Sequence, residues 1–348
     1  MKKILYSVAL AACCMGTMTS CSDFLDAENK SNVSDKQTFA TKDGFNTLVN
    51  DAYQRLQNIY AAPLFTSCFS AGTDMYADAR NKMNEALNTY ETLTPENGDI
   101  KNLYTYLYAG IRAANSVSYY AQSAKIDDAL KNKLVGEARV LAAYEYYLLV
   151  NNFGGVPIMK DFLTSAETGY PKSSAADVYA YIISELEDVI SQNVLEASTA
   201  TKGGGRISQE TAKAILAKTY LSAAWDLGKQ EYFAKAASLA DEVIAGRKLT
   251  TPFASLWKAD GSGDDNAEFL WDVEYDLATA NNTTSGGTEW SGYYCNYLGG
   301  NEDNIKATTA TIWVEPRILS RQQLPVMYQL SMPCIASRRV TCVTMLPS

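Results

Sequence analysis

The sequence predicts an all-α, mainly helical fold in which long amphipathic helices pair up between long irregular loops. Three observations carry that expectation. Apolar residues recur at spacings of three and four over six windows of helix length, Gly and Pro clusters bound those windows, and period-two alternation is confined to one short island. The chain has 348 residues, enough for a large core in about two domains or one large one.

At the amino terminus, Lys2 and Lys3 precede an apolar run from Ile4 through about Met15, followed by small residues. This pattern predicts a signal peptide over residues 1–20, since the run is shorter than the roughly 20 residues of a spanning helix. Met18-Thr19-Ser20-Cys21 resembles a bacterial lipobox, which makes Cys21 the expected lipidation site and first mature residue, with ordinary cleavage beside an incidental cysteine as the alternative. Several acyl chains on one residue exceed the marginal anchoring that a single chain provides. The mature chain is therefore expected to be a soluble body tethered to a membrane.

The first helix is expected over Gly44 to Tyr60, where Phe45, Leu48, Val49, Ala52, Tyr53, Leu56 and Ile59 share a face. Residues 61–94 lack sustained periodicity and predict long loops with one short helix. Helices follow over 100–121 and about 127–152, the second ended by Gly154-Gly155 and Pro157, and their short connection predicts an antiparallel hairpin. A further helix spans 175–192, and Gly203 to Gly205 form a linker that lacks the ending of a phosphate loop. Ser208 is the expected N-cap of a helix reaching Asp226 and closed by Gly228. The next helix carries an apolar stripe of Tyr232, Phe233, Ala236, Ala237, Ala240, Val243 and Ile244. This last pair resembles a tetratricopeptide unit of about 34 residues.

Beyond Pro252 the chain turns irregular. Phe269, Trp271 and Val273 alternate within a strand-like island from Glu268 to Tyr275, and residues 276–304 are rich in Gly, Asn, Thr and aromatics. Residues 307–348 differ in character, with four arginines, one acidic residue and two cysteines and no helical or strand period. That break predicts a change of reading frame near Lys306, with a genuine basic tail as the alternative. The expected organisation is a signal peptide at 1–20, a helical domain at 21–250, the start of a carboxy-terminal region at 251–306, and an atypical tail at 307–348.

Composition narrows the chemistry. The net charge of −9 argues against a nucleic-acid partner, and the absence of histidine removes the commonest general base, the histidine-dependent nucleophilic arrangements and the commonest transition-metal ligand. Of seven cysteines, Cys13 and Cys14 leave with the signal and Cys21 is assigned to lipid; the other four show no metal-ligand spacing. A bridge between Cys68 and Cys295 and a pair of buried thiols remain alternatives. No cofactor and no metal site are expected.

Several segments together point to one family. They are Cys21-Ser-Asp-Phe-Leu-Asp26, the first helix, the block Glu137-Ala-Arg139 through Asn152-Phe153-Gly154-Gly155-Val156-Pro157, Arg206-Ile-Ser208 leading into Ala212 to Leu221, and Glu268 to Tyr275. Over roughly residues 1–304 the chain resembles the SusD/RagB family of nutrient-binding outer-membrane lipoproteins. The resemblance implies four tetratricopeptide-like helix pairs cradling a more irregular region, and no catalysis. It also implies a surface lipoprotein that captures a glycan and closes over a TonB-dependent transporter of the SusC type. Asp23 and Asp26 fit the acidic export signal of such lipoproteins, although Phe24 and Leu25 interrupt it. Family members are usually much longer, so part of a binding site is expected to be missing.

Sugar recognition needs flat aromatic faces and polar forks on loops over a rigid scaffold. Two loops meet that need. The first carries Asp74, Tyr76, Asp78, Arg80 and Asn81 beside Thr73 and Met75; the second carries Trp290, Tyr293 and Tyr294 with Asn281, Asn282 and Tyr297. Packing on the helices or facing a transporter is the competing role for both. Tyr104, Tyr108, Tyr144 and Tyr220 fall on core faces and are expected to pack, and Arg139 is expected to partner a buried acceptor. The competing functions are a helical-repeat scaffold that binds only protein and a glycosidase using Asp74 with Asp78 or Glu268 with Asp272.

Overall fold

A computed structural model describes residues 34–60, 64–73, 85–165, 167–198, 205–245, 247–255 and 268–273, apart from the side chains of 65, 66 and 85. The chain divides into two compact units, Met1–Thr38 and Phe39–Ser348. Of the first, the description covers only Ser34 and the start of helix α1 (Asp35–Phe39). There Ser34 Oγ accepts from Gln37 N while Gln37 Oε1 accepts from Ser34 N, a reciprocal cap.

The second unit is built from helices and the loops between them, among the described residues. Its first long helix, α2 (Lys42–Tyr60), buries Phe45, Leu48, Val49, Ala52, Leu56 and Ile59, the face that the spacing predicted. Full burial of each large aliphatic side chain contributes about 1.5–3 kcal/mol, so this stripe fixes the rotation of the helix. Two short helices follow, α3 (Leu64–Phe69) and α4 (Glu85–Thr89), where the sequence predicted one. Then come α5 (Gly98–Ala121), capped by Asn97, and α6 (Asp128–Phe153), capped by Asp127. These two pack on each other, and α2 lies against both.

Helix α6 is the axis of the packing. It touches α2, α5, α8 and α7 (Ala175–Gln192), and almost every residue from Gly136 to Val150 is buried. Between Gly136 and Val150 only Arg139 and Tyr147 are not fully buried, and Glu137 and Glu145 are the charged residues enclosed with the apolar ones. Gly154, at φ +69, ends it in a conformation that side chains rarely adopt. The next glycine, Gly155, permits a close return of the chain, because a Cβ there would collide with Ser173 O.

Ser174 and Asp177 form a capping box that starts α7, and Ser208 Oγ, accepting from Thr211 N at 3.1 Å, starts α8 (Gln209–Leu227). Gly228 in the left-handed region ends α8, and α9 (Glu231–Ile244) folds back on it. Here the structure corrects the reading of the stripe. Of the seven residues expected to be buried on α9, only Ala236 and Val243 are, and Ile244 is 53% exposed. The reason is that α8 is the principal neighbour of α9 among the described residues.

The island at 268–273 is a second correction, since no strand occurs among the described residues. Nor does burial alternate there, since Asp272 is buried between Trp271 and Val273 and Phe269 is half-buried. Trp271 and Val273 are buried, while the backbone bonds a side chain: Thr211 Oγ1 donates to Leu270 O at 2.9 Å. No described helix is long and apolar enough to cross a membrane.

Candidate functional site

The predicted ligand residues Asp74, Tyr76, Asp78, Arg80, Asn81, Trp290, Tyr293 and Tyr294 lie outside the described residues, as do Met75, Asn281, Asn282, Tyr297, Cys295 and the lipidation residue Cys21. The structure does describe residues that flank the two predicted loops in sequence, up to Thr73 and from Glu85 for the first and up to Val273 for the second.

The first root is a clasp. Gly72, at φ +73, sits so close to Leu87 O and Tyr90 Oη that a Cβ could not be accommodated, and Tyr90 Oη donates to Gly72 O at 3.2 Å. The described chain before residue 74 is therefore held against the described chain after residue 84. The short helix before the clasp is itself held, with Leu64 and Ser67 buried and α3 packed on α2 and α5.

The second root is a wedge. The Trp271 ring meets Tyr144 edge to face at 5.3 Å, and its Nε1 donates to Gly205 O at 3.2 Å. Tyr144 also exchanges a hydroxyl hydrogen bond with Tyr60 at the end of α2, the helix that leads to the first root. One residue of α6 thus ties the carboxyl end of α2 to the segment from which residues 274 onward depart. As expected, all four tyrosines pack: Tyr144 and Tyr220 are buried, and Tyr104 and Tyr108 are half-buried against the core, with Tyr108 Oη donating to Pro157 O at 2.7 Å.

Beside the wedge lies a cleft of about 280 Å³ lined by the amides of Asn50, Gln54 and Gln57 on α2, with Arg206, Asp272 and Val273 opposite. Behind it is a charged triad. Tyr53 Oη donates to Glu137 Oε2 at 2.8 Å and accepts from Ile207 N at 2.9 Å, and Arg206 Nη1 donates to the same Glu137 oxygen at 3.1 Å. Arg206 also stacks over the Tyr53 ring at 5.0 Å. Glu137 is buried, and burial raises its pKa against the opposing pull of Arg206 and Tyr53; burial and the Glu137 charge push the Tyr53 phenol well above its usual range. Amide, guanidinium and carboxylate groups around a small cleft suit hydroxyl-bearing ligands, because each donates or accepts in a fixed direction.

Sequence reasoning missed this triad. Its members are 84 and 69 residues apart, and the only signal was the Arg206-Ile-Ser208 motif. Glu137 and Arg139 do face different ways, as expected: Arg139 Nε donates to Glu185 Oε2 at 2.8 Å and Arg139 Nη2 to Asp188 Oδ2 at 2.7 Å. These acceptors are partly exposed rather than buried, which corrects the expected role. Cys68 is half-buried, and burial followed by the Asp99 charge pushes its thiol up to about 12. The glycosidase pair Glu268 and Asp272 lacks a raised acid at Glu268, whose pKa is lowered by the Thr251 backbone N–H, donating at 2.6 Å.

Comparison with known proteins agrees with this architecture. The SusD-like family model described as "Starch-binding associating with outer membrane" matches residues 23–221. A SusD-like protein of Formosa agariphila is 24% identical over 292 residues, covering 78% of this chain and 54% of its own. Among solved structures, a laminarin-binding SusD-like protein aligns with a TM-score of 0.64 at 23% identity, over 75% of this chain and 58% of that one. Surface glycan-binding protein A from Bacteroides uniformis aligns with a TM-score of 0.58 at 24% identity, over 68% of this chain and 54% of that one. The chain spans about half the length of the curated relatives it matches, 54% and 53% for two of them.

Proposed function

The chain belongs to the SusD-like family, whose members bind glycans, are not enzymes and associate with the outer membrane, and from that premise we propose that it captures an oligo- or polysaccharide at the cell surface. The observation that supports the reading is the double anchorage on Tyr144, which joins Tyr60, on the helix before the first predicted loop, to Trp271, ahead of the second in sequence. Binding sites are most often built from loops held on such a scaffold. In this reading Asp74, Tyr76, Asp78, Arg80 and Asn81 from one loop and Trp290, Tyr293 and Tyr294 from the other contact the sugar. The aromatic rings cover the C–H faces and the polar groups hold the hydroxyls.

The protein is anchored by acyl chains on Cys21 and delivers its glycan to a TonB-dependent transporter of the SusC type. The signal peptide occupies 1–20, the helical domain 21–250, the start of the carboxy-terminal region 251–306 and the atypical tail 307–348. Affinity gels cast with a panel of polysaccharides test the capture role, run beside a reducing-sugar assay. Retardation by one glycan without released sugar is the expected result, weakened by Trp290→Ala or Tyr76→Ala. Failure of every glycan to retard a folded chain would overturn it. Labelled palmitate incorporated into the native chain and absent from Cys21→Ser tests the anchor.

A further inference from the structure

A second cavity, of about 450 Å³, opens between α5, α6 and α7 and lies on neither loop root. Its volume falls within the roughly 300–1,000 Å³ of small-ligand sites. Ala114, Ala138 and Ala142 leave room at its lining, and Tyr181 contributes an aromatic wall. That ring is held by Tyr146, edge to face at 5.3 Å.

The polar lining is both pre-positioned and incompletely used. Arg139 is locked by Glu185 and Asp188, yet these bonds occupy only its Nε and Nη2 atoms. Glu185 accepts through Oε2, and Asp177 accepts through Oδ2 from its own helix cap. Asn115 spends its amide N–H on Met159 O at 2.9 Å, which aims its oxygen as an acceptor. The hydroxyls of Ser118 and Ser184 complete the lining. Lys160, 5.7 Å from the Tyr181 ring centroid, forms no ion pair among the described residues.

Two cations and two carboxylates line the cavity, so neither an anion nor a cation is selected by charge. What the arrangement matches is a molecule that donates and accepts in alternation and carries no charge, with a C–H face for the ring. We propose that this cavity binds a short neutral carbohydrate of one or two sugar units, separately from the surface loops. The assignment goes beyond the capture reading, which places the ligand on residues 74–81 and 290–294.

Saturation-transfer NMR on the whole purified chain tests it, with glucose, galactose, mannose, xylose and their disaccharides as probes at millimolar concentration. At least one probe should receive saturation, and Ser184→Trp, which fills the mouth from an exposed position, should reduce that signal fivefold or more. If Ser184→Trp lowers the thermal midpoint, Ser118→Leu fills the opposite wall and should have the same effect. Trp290→Ala should leave the small-sugar signal intact while weakening polysaccharide retardation. Polysaccharide retardation with no small-sugar signal overturns the cavity site and leaves the loop reading standing. A small-sugar signal that survives both cavity-filling variants also overturns it. A signal lost only in the cavity variants, with no polysaccharide retarded, supports the cavity and overturns the loops.

Discussion

The carboxyl group of Glu145 on α6 occupies the space where a side chain at position 110 of α5 would begin, because a Cβ built on Gly110 would overlap Glu145 Oε1. The two helices can approach this closely only with glycine at that position. Alanine is ordinarily the better helix former by about 1 kcal/mol, so Gly110→Ala poses a contest between propensity and collision. Glu145 is 1% exposed, so moving its carboxyl aside disturbs packed neighbours; the collision should win and the variant lose about 1–3 kcal/mol. In a Glu145→Ala background the same substitution should be neutral or stabilising. Chemical denaturation of the four proteins checks this; additive effects would exclude the contact.

Glu145 itself is a cost that the fold carries. Neither carboxyl oxygen has a hydrogen-bond partner among the described residues, and burial raises its pKa well above the ordinary 4.5, against the pull of Arg55. In the folded state the proton is therefore retained to higher pH than in the unfolded chain. Below pH 4.5 both states are protonated and the group costs nothing through ionisation; as pH rises beyond that, the unfolded state ionises first and stability is lost. Glu145→Met, of similar volume, should raise stability by roughly 1–3 kcal/mol at pH 7 and by less at pH 4. Urea midpoints at the two values decide it, and an equal effect at both would rule out the ionisation argument.

The long helices were legible because their ends announce themselves. Ser208, Gly228 and Gly154 stand within a residue of the observed boundaries, and the expected stripe of α2 is buried except at Tyr53, which is half-buried. The alternation of Phe269, Trp271 and Val273 misled: Asp272 is buried between Trp271 and Val273 and Phe269 is only half-buried, so the period marks neither a strand nor a one-sided face. Tyr53, Glu137 and Arg206 could not have been grouped in advance, since no local pattern links a helix face to a loop 154 residues away. The predicted sugar-binding residues were chosen for chemistry alone, and what the structure adds is the clasp at Gly72 and the wedge at Trp271.

Trp271 is the wedge whose loss should separate stability from binding. It is 4% exposed, and truncation to alanine should cost about 3–5 kcal/mol. Tyr144→Phe is the gentler probe: it keeps the ring against Trp271 and deletes the hydroxyl with its bond to Tyr60, at about 0.5–1.5 kcal/mol. If the common support matters for capture, Tyr144→Phe should weaken polysaccharide retardation while the chain stays folded by circular dichroism. Unchanged retardation would detach the Tyr60 link from function.

Arg206 neutralises a carboxylate that has almost no contact with solvent, since Glu137 is 1% exposed at its side chain and Arg206 36%. Removing the guanidinium leaves Glu137 with Tyr53 as its remaining hydrogen-bond donor. Breaking a buried pair costs about 3–5 kcal/mol, and the exposure of the arginine places Arg206→Ala near the lower end. The loss should depend on pH in a defined direction. Without Arg206 the already raised pKa of Glu137 rises further, so the folded state holds a proton that the unfolded state releases above about 4.5. The variant should therefore be most destabilised at neutral pH and recover toward the parent as pH falls to 4. Paired thermal melts across that range measure it. A constant deficit would mean that Arg206 contributes by packing over Tyr53 at 5.0 Å and not through its charge.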